Sequence, residues 1–226
     1  MLATMRQTAE LVEFFRKHGE HAVYQKDEFI IAPGEPLTGV FYIVEGLVKA
    51  YDITRYGEEN LLIIRKGHEI FPLIWALTGR ERQVVYQALD RTTTLKVGRT
   101  QFVTMLRRNP EVLTPVMDMT LEMYRLHSER ILNLEYRSVR ERIISFLLTM
   151  AQRFGTKADG GLLIDVPLRH QDIASSINSS RETTSRELGA LEQKGLLTKS
   201  SSRIMIKRPE VLKAYLARKP QNNQDN

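Results

Sequence analysis

The chain contains no cysteine. Disulfides, thiolate zinc sites and cysteine-bound iron–sulfur clusters are therefore excluded, and a reducing compartment is allowed, so a cytoplasmic protein is expected. Long apolar runs are also missing. The longest, residues 71–77, contains Pro72 and falls far short of the roughly 20 residues that span a bilayer, so no membrane partner is expected. The first twenty residues include Glu10 and Glu13 and lack a continuous apolar stretch, which reads as a short amphipathic helix and not as a secretory signal. No nucleophile–base pair, metal constellation or phosphate-cradling glycine loop stands out, so an enzyme is not expected. The histidines are His18, His21, His68, His127 and His170. Only His18 and His21 stand close together, and two ligands alone make a poor site, so neither metal nor haem nor any other cofactor is expected.

What is present is enough apolar residue for a core and an excess of positive charge. With 226 residues, 42% of them hydrophobic, two modest domains are the natural reading. A net charge of +6 suits an anionic partner.

From residue 29 to 97 the chain breaks into β-branched and aromatic runs, FIIA, GVFYIVE, LVKAYDI, NLLIIR, QVVYQAL and TTTLKV. Turn signals at Gly34, Gly46, Gly57 and Gly67 separate them at intervals that leave room for one strand each, which predicts an antiparallel roll. Trp75, the only tryptophan, is expected to pack the short helix of that roll. Residues 101–110 predict a short helix. Beyond them Leu113, Met117, Leu121, Tyr124, Ser128, Ile131 and Leu134 recur at three- and four-residue steps, which predicts a long helix. That seam could pair with a second copy through Leu121, Tyr124 and Ile131, or pack on its own domain. His127 falls beside it. Ser138 opens a further helix that Gly155 is expected to cap. The order then changes to a flexible TKADGG turn, a strand LLIDVPL, two short helices and a hairpin over residues 197–206, the order of a winged helix-turn-helix. The tail QNNQDN is expected to be disordered.

Residues 168–178 form the first of the two short helices, with Ile173 and Ile177 inward and the small Ala174 leaving room for a crossing helix. Asn178-Ser179 follows where a tight turn with positive φ is needed, and asparagine tolerates that conformation. Ser180 suits an N-cap, and residues 181–194 form the second helix. Leu188 and Leu191 hold it to the core, leaving Arg181, Glu182, Ser185 and Arg186 exposed in its first turns, where a recognition helix meets base edges. Arginine matches the O6/N7 edge of guanine, and glutamate can accept from cytosine N4. Residues 168–208 hold eight Lys or Arg against four acids, a local excess suited to phosphate attraction. Arg169, Ser180 and Lys199 join the four as candidate contacts to double-stranded DNA, Lys199 in the wing. The competing view is an ordinary solvated helix whose Arg–Glu pairs stabilise one another.

SRETTSRELGALEQKGLL resembles the recognition helix of the CRP/FNR family of bacterial transcription regulators, and the blocks IAPGEPLTGVFYIVEGLVKAYDI and RYGEENLLIIRKGHEI resemble that family's cyclic-nucleotide-type β-roll. The resemblance implies an α+β chain: a sensor roll over residues 1–109, a dimerisation helix over 110–137, a winged helix-turn-helix over 138–220 and a tail over 221–226. It implies a homodimeric regulator acting with RNA polymerase, and it puts Arg181, Glu182 and Arg186 on base-contacting positions. Ser185 matches the FNR branch and Arg181 the CRP branch. In members that bind cyclic nucleotides, a Gly-Glu pair and a later Arg-Ser/Thr-Ala hold ribose and phosphate. This chain has Phe71 and Pro72 for the pair, and Arg82 is followed by Gln83 and Val84, so cyclic AMP is not expected. A different anion could use Arg82 and nearby Arg80 with Ser128, Arg130 or Glu135. The spacing of Arg130 and Glu135 resembles a branch that binds 2-oxoglutarate, whose roll arginine falls on Val84 here. The alternatives are that these arginines form surface or dimer salt bridges and that the roll is purely structural.

Overall fold

A computed structural model describes residues 9–200 and 202–217, and the chain divides into two compact units, Met1–Ser128 and Glu129–Asn226. The first unit opens with α1 (Ala9–His18), which buries Leu11 and Phe15. Strands β1 (Glu20–Tyr24), β2 (Phe29–Ile31), β3 (Val40–Glu45), β4 (Leu47–Ile53), β5 (Glu59–Lys66) and β6 (Ile70–Phe71) precede the short helix α2 (Leu73–Thr78). Strands β7 (Val85–Ala88) and β8 (Thr92–Val97) follow, then α3 (Arg99–Arg108) and the long α4 (Pro110–Tyr136). The strands form two antiparallel sheets, β1-β8-β3-β6 and β2-β7-β4-β5.

A stack of aromatic rings joins the two sheets. Phe71 lies against Phe41 with ring centroids 5.2 Å apart, and against Tyr86 of the opposite sheet at 4.6 Å. A second cluster lies under the helices, where Phe15 stacks on Tyr42 at 5.2 Å and packs with Phe102 at 5.9 Å. Trp75 packs against that cluster, as expected. Between β3 and β4, Gly46 has φ 96, and a Cβ there would lie 2.7 Å from the Thr92 Cα, so only glycine fits. Gly67 does not take the left-handed turn. His68 does so instead, with φ 74, held by a 2.8 Å hydrogen bond between its Nδ1 and the Tyr42 hydroxyl.

Helix α4 presents two faces. Val112, Val116, Met119 and Met123 are buried in the first unit, while Leu121, Tyr124 and Ile131 of the apolar seam are 57%, 72% and 62% exposed. The own-domain face, at Val112, Val116, Met119 and Met123, is thus a different side of the helix from the seam that the three- and four-residue pattern traces.

The second unit holds α5 (Val139–Phe154), β9 (Gly155–Ala158), β10 (Gly161–Ile164), α6 (His170–Ser176), α7 (Arg181–Gln193), β11 (Leu197–Ser200), β12 (Arg203–Ile206) and α8 (Pro209–Ala217). Its sheet runs β11-β12-β10-β9, all antiparallel. One expectation is corrected here. The TKADGG stretch is a hairpin, because residues 155–158 pair with β10. Gly155 caps α5 as expected, with φ −77 as the chain enters β9; a Cβ there would collide with the Ala151 carbonyl, which accounts for glycine. Strands β1 and β6 and helix α8 were not foreseen, being short or weakly patterned. The tail QNNQDN lies outside the described residues.

Helix α5 starts as expected. The Ser138 hydroxyl accepts from the Glu141 N–H; in return the Glu141 carboxylate accepts from the Ser138 hydroxyl at 2.7 Å and from the Ser138 N–H at 2.8 Å, and these two bonds, the hydroxyl first, hold the carboxyl below the usual carboxylate range. Ser138→Ala removes one side of this box and should lower stability by about 0.5–2 kcal/mol, read as a fall in urea midpoint with unchanged slope.

Candidate nucleic-acid interface

The helix-turn-helix is built on α6. The buried Asp172 carboxylate accepts from the Arg169 backbone N–H at 3.0 Å and from its Nε at 3.2 Å, which fixes the helix start. Ile173 and Ala174 are fully buried, and the absence of a large side chain at Ala174 lets the chain turn back tightly, with the Ser179 N–H donating to the Ala174 carbonyl at 3.0 Å. Asn178 has φ 51, as the turn requires. Arg142 of α5 holds this turn from behind. Its Nη1 donates to the carbonyls of Ile177 at 2.8 Å and Asn178 at 3.3 Å, and its Nε to the carbonyl of Arg137 at 3.0 Å.

The Ser180 hydroxyl then accepts from the Thr183 N–H at 3.1 Å and caps α7. Thr184, Leu188 and Leu191 are buried, and an ion pair of 2.6 Å between Glu187 and Arg140 ties the helix to α5. Arg181, Glu182, Ser185 and Arg186 stand at i, i+1, i+4 and i+5, so they share one face, and all four are exposed. Arg169, Ser180 and Lys199 are exposed as well. Together the seven candidates supply a solvent-facing surface with four cationic side chains and one acid.

In the first unit a cavity of about 60 Å³ opens beside α2, walled by Leu37, Ile63, Pro72 and Met123, with Arg65 and Arg82 among its polar lining. Trp75 and His127 also face it, so His127 points into the roll. Arg82 further borders a space of about 430 Å³ lined by Glu35 and Glu81, whose carboxylates disfavour an anion there. The other effector candidates are divided between the units. Ser128 is half-buried at the end of the first, whereas Arg130 and Glu135 belong to the second, where Arg130 donates to the Ser175 carbonyl at 3.4 Å.

The sequence profile of the cyclic nucleotide-binding domain matches residues 21–109, and that of the Crp-like helix-turn-helix domain matches residues 141–215. Over 192 residues, 84% of this chain and 86% of the relative, the sequence is 30% identical to the global nitrogen regulator of Nostoc sp.. The chain belongs to the CRP/FNR family of transcription regulators. It is also 26% identical over 203 residues to the cAMP-activated global transcriptional regulator CRP of Salmonella typhimurium, covering 88% of this chain and 95% of the relative. The structure of FixK2 from Bradyrhizobium japonicum has the same fold, with a TM-score of 0.76 at 24% identity over 89% of this chain and 98% of that one. As a CRP/FNR protein it is a DNA-binding transcription regulator and not an enzyme. Among the described residues, no helix is long and apolar enough to cross a membrane.

Sequence reasoning missed two residues of this CRP/FNR interface. Arg142 lies in the helix that Ser138 opens, and nothing in the spacing marks an arginine that will reach a turn 35 residues away. The sequence offers His170 only as one of five histidines without a metal-ligand spacing. The structure puts its Nε2 2.8 Å from the Lys199 Nζ of the wing, near Arg181 of α7. Burial first, and then the charges of Lys199 and Arg181, push the His170 imidazole below its usual 6.5. In the folded protein His170 is therefore neutral where the unfolded chain is already partly protonated. Its contribution to stability is complete above pH 6.5 and is lost as pH falls through the depressed folded value. A proton NMR titration should place the His170 midpoint below 6.5, and Lys199→Met should move it upward; an unmoved midpoint would contradict the contact.

Proposed function

We propose that two copies of this CRP/FNR protein pair along α4 and read a pseudo-palindromic operator with their two α7 helices. The observation that carries this reading is the exposed row Arg181, Glu182, Ser185 and Arg186 on a helix anchored through Thr184, Leu188 and Leu191. Arg181 and Arg186 take bidentate roles toward guanine, Glu182 accepts from cytosine, and Ser185 serves either edge. Ser180, Arg169 and Lys199 hold phosphates and set the register. Two such helices related by a two-fold axis reach half-sites about 34 Å apart. Residues 1–109 then act as sensor, 110–137 as dimerisation helix and 138–220 as DNA-binding segment, with RNA polymerase the machinery on which the bound dimer acts.

The seam supports pairing, since Leu113, Met117, Leu121, Tyr124 and Ile131 leave an apolar row in solvent on one long helix, and CRP-family proteins are typically dimers. A small-molecule effector other than cyclic AMP gates the dimer. In its favour, Pro72 stands where the family's cyclic-nucleotide binders carry glutamate, and about 60 Å³ is far below the roughly 300 Å³ of an ordinary ligand site. The same small volume favours a second reading in which the roll is structural and DNA binding needs no effector.

Selection from random DNA tests the reading. Arg186→Ala should cost about 1–3 kcal/mol on the selected site and relax discrimination at one base pair, whereas Lys199→Ala should weaken all sequences alike and lower the salt slope by about one. An unchanged motif and affinity in Arg186→Ala would remove the base-reading role. Sedimentation tests the pairing: the wild type should run at twice 26.1 kDa, about 52 kDa. Leu121→Glu should weaken association by roughly a hundredfold or more, because an unpaired carboxylate in an apolar interface costs about 3–5 kcal/mol.

A further inference from the structure

Arg80 and Arg82 at the rim of the roll cavity are exposed, but Arg65 near the end of β5 is only 5% exposed and lines the same cavity. A guanidinium carries five N–H donors and no acceptor. Of those on Arg65, one set at Nη1 has the Glu69 carboxylate at 3.4 Å, Nη2 faces the Met123 thioether at 2.7 Å, and Nε has no hydrogen-bond partner among the described residues. A thioether is a weak acceptor, so beyond its buried ion pair with Glu69 this cation leaves donors at Nε and Nη2 without a strong acceptor. Met or Leu would fill the same position without that cost. Burial pushes the Tyr86 hydroxyl up, while the positive charges of Arg65 and Arg82 act on it in the opposite direction; all three side chains line this cavity.

We propose that Arg65 is the anion-binding residue of this cavity and that its ligand is a short-chain monocarboxylate. The proposal rests on the reading of the roll as an effector domain. A carboxylate matches the guanidinium fork in two parallel N–H···O bonds, which Met123 cannot supply. The walls of Leu37, Ile63 and Pro72 suit a short alkyl chain, and Arg80, Arg82, Tyr86 and His127 also line the cavity. Space of about 60 Å³ admits a ligand of roughly four to six heavy atoms. The neighbouring 430 Å³ space is larger, but Glu35 and Glu81 make it hostile to an anion. Entry of the carboxylate displaces the Met123 sulfur from the guanidinium. Met123 sits on α4 between the seam residues Leu121 and Tyr124, so the ligand acts directly on the helix that carries the seam.

The test is thermal unfolding of the full chain in sodium acetate, propionate or butyrate, with ionic strength matched by sodium chloride. The wild type should show a saturable rise in Tm with at least one of the three. Arg65→Met should abolish the rise, and Arg65→Lys, which keeps the charge and loses the fork, should need roughly tenfold more ligand or worse. A wild-type Tm that follows chloride throughout overturns the proposal, as does an equal carboxylate response in Arg65→Met or, should that variant not fold, in Arg65→Lys. A shift with cyclic AMP overturns the size argument. Mobility shifts on the same wild-type preparation separate the two readings: operator binding with a flat carboxylate response overturns the site alone. A saturable response that depends on Arg65, without operator binding, supports the site and removes the DNA reading.

Discussion

The guanidinium of Arg142 reaches three backbone carbonyls, those of Arg137, Ile177 and Asn178, and the geometry of the exposed α7 surface follows from that contact. The carbonyls at the end of a helix have no partner inside it and carry partial negative charge. At the end of α6 the chain must also pass through the left-handed conformation at Asn178 before α7 can begin. A single cation satisfies the carbonyls and fixes the bend together. Once the bend is fixed, the Ser180 cap and the Glu187–Arg140 pair set where α7 starts and how it is turned about its axis. The exposed row of polar side chains inherits its aim from that chain of contacts, none of which involves Arg181, Glu182, Ser185 or Arg186.

This ordering explains what could be read in the sequence. Local requirements leave local marks: Asn178 where φ must be positive, Ser180 and Ser138 as caps, Ala174 where a helix crosses closely. The apolar residues of α7 sit at helical spacing, so its exposed face could be named by elimination. The contacts that depend on distant segments left no such mark. Arg142 and His170 look like any surface residue until the fold brings Ile177 and Lys199 to them. Likewise a seven-residue repeat cannot say which of two apolar faces on α4 is buried in its own unit. Strand β6 is two residues long and its partner is Phe41–Tyr42, a pairing set by the sheet and invisible to a period-two pattern.

The roll shows a similar division. Its stacked rings, Phe41, Phe71 and Tyr86, close the two sheets on one another and would do so with or without a ligand. Phe71 is buried within that stack and serves the packing of the two sheets. Arg65 contributes nothing comparable to the core. Burying it costs stability that the surrounding apolar side chains must offset, and proteins commonly carry such costs where a site has to be kept ready.

The apolar row along α4 also bears on how long the protein lasts. Any surface that covers Leu121, Tyr124 and Ile131 acts as a ligand of the folded state, so by mass action the folded population grows with the amount of whatever covers them. If that surface is another copy of the chain, abundance feeds back on itself. Protomers made in small numbers stay uncovered, open more often and meet proteases first, while a well-stocked pool protects its own members. Turnover then acts as a threshold on dosage, set by the side chains of one helix.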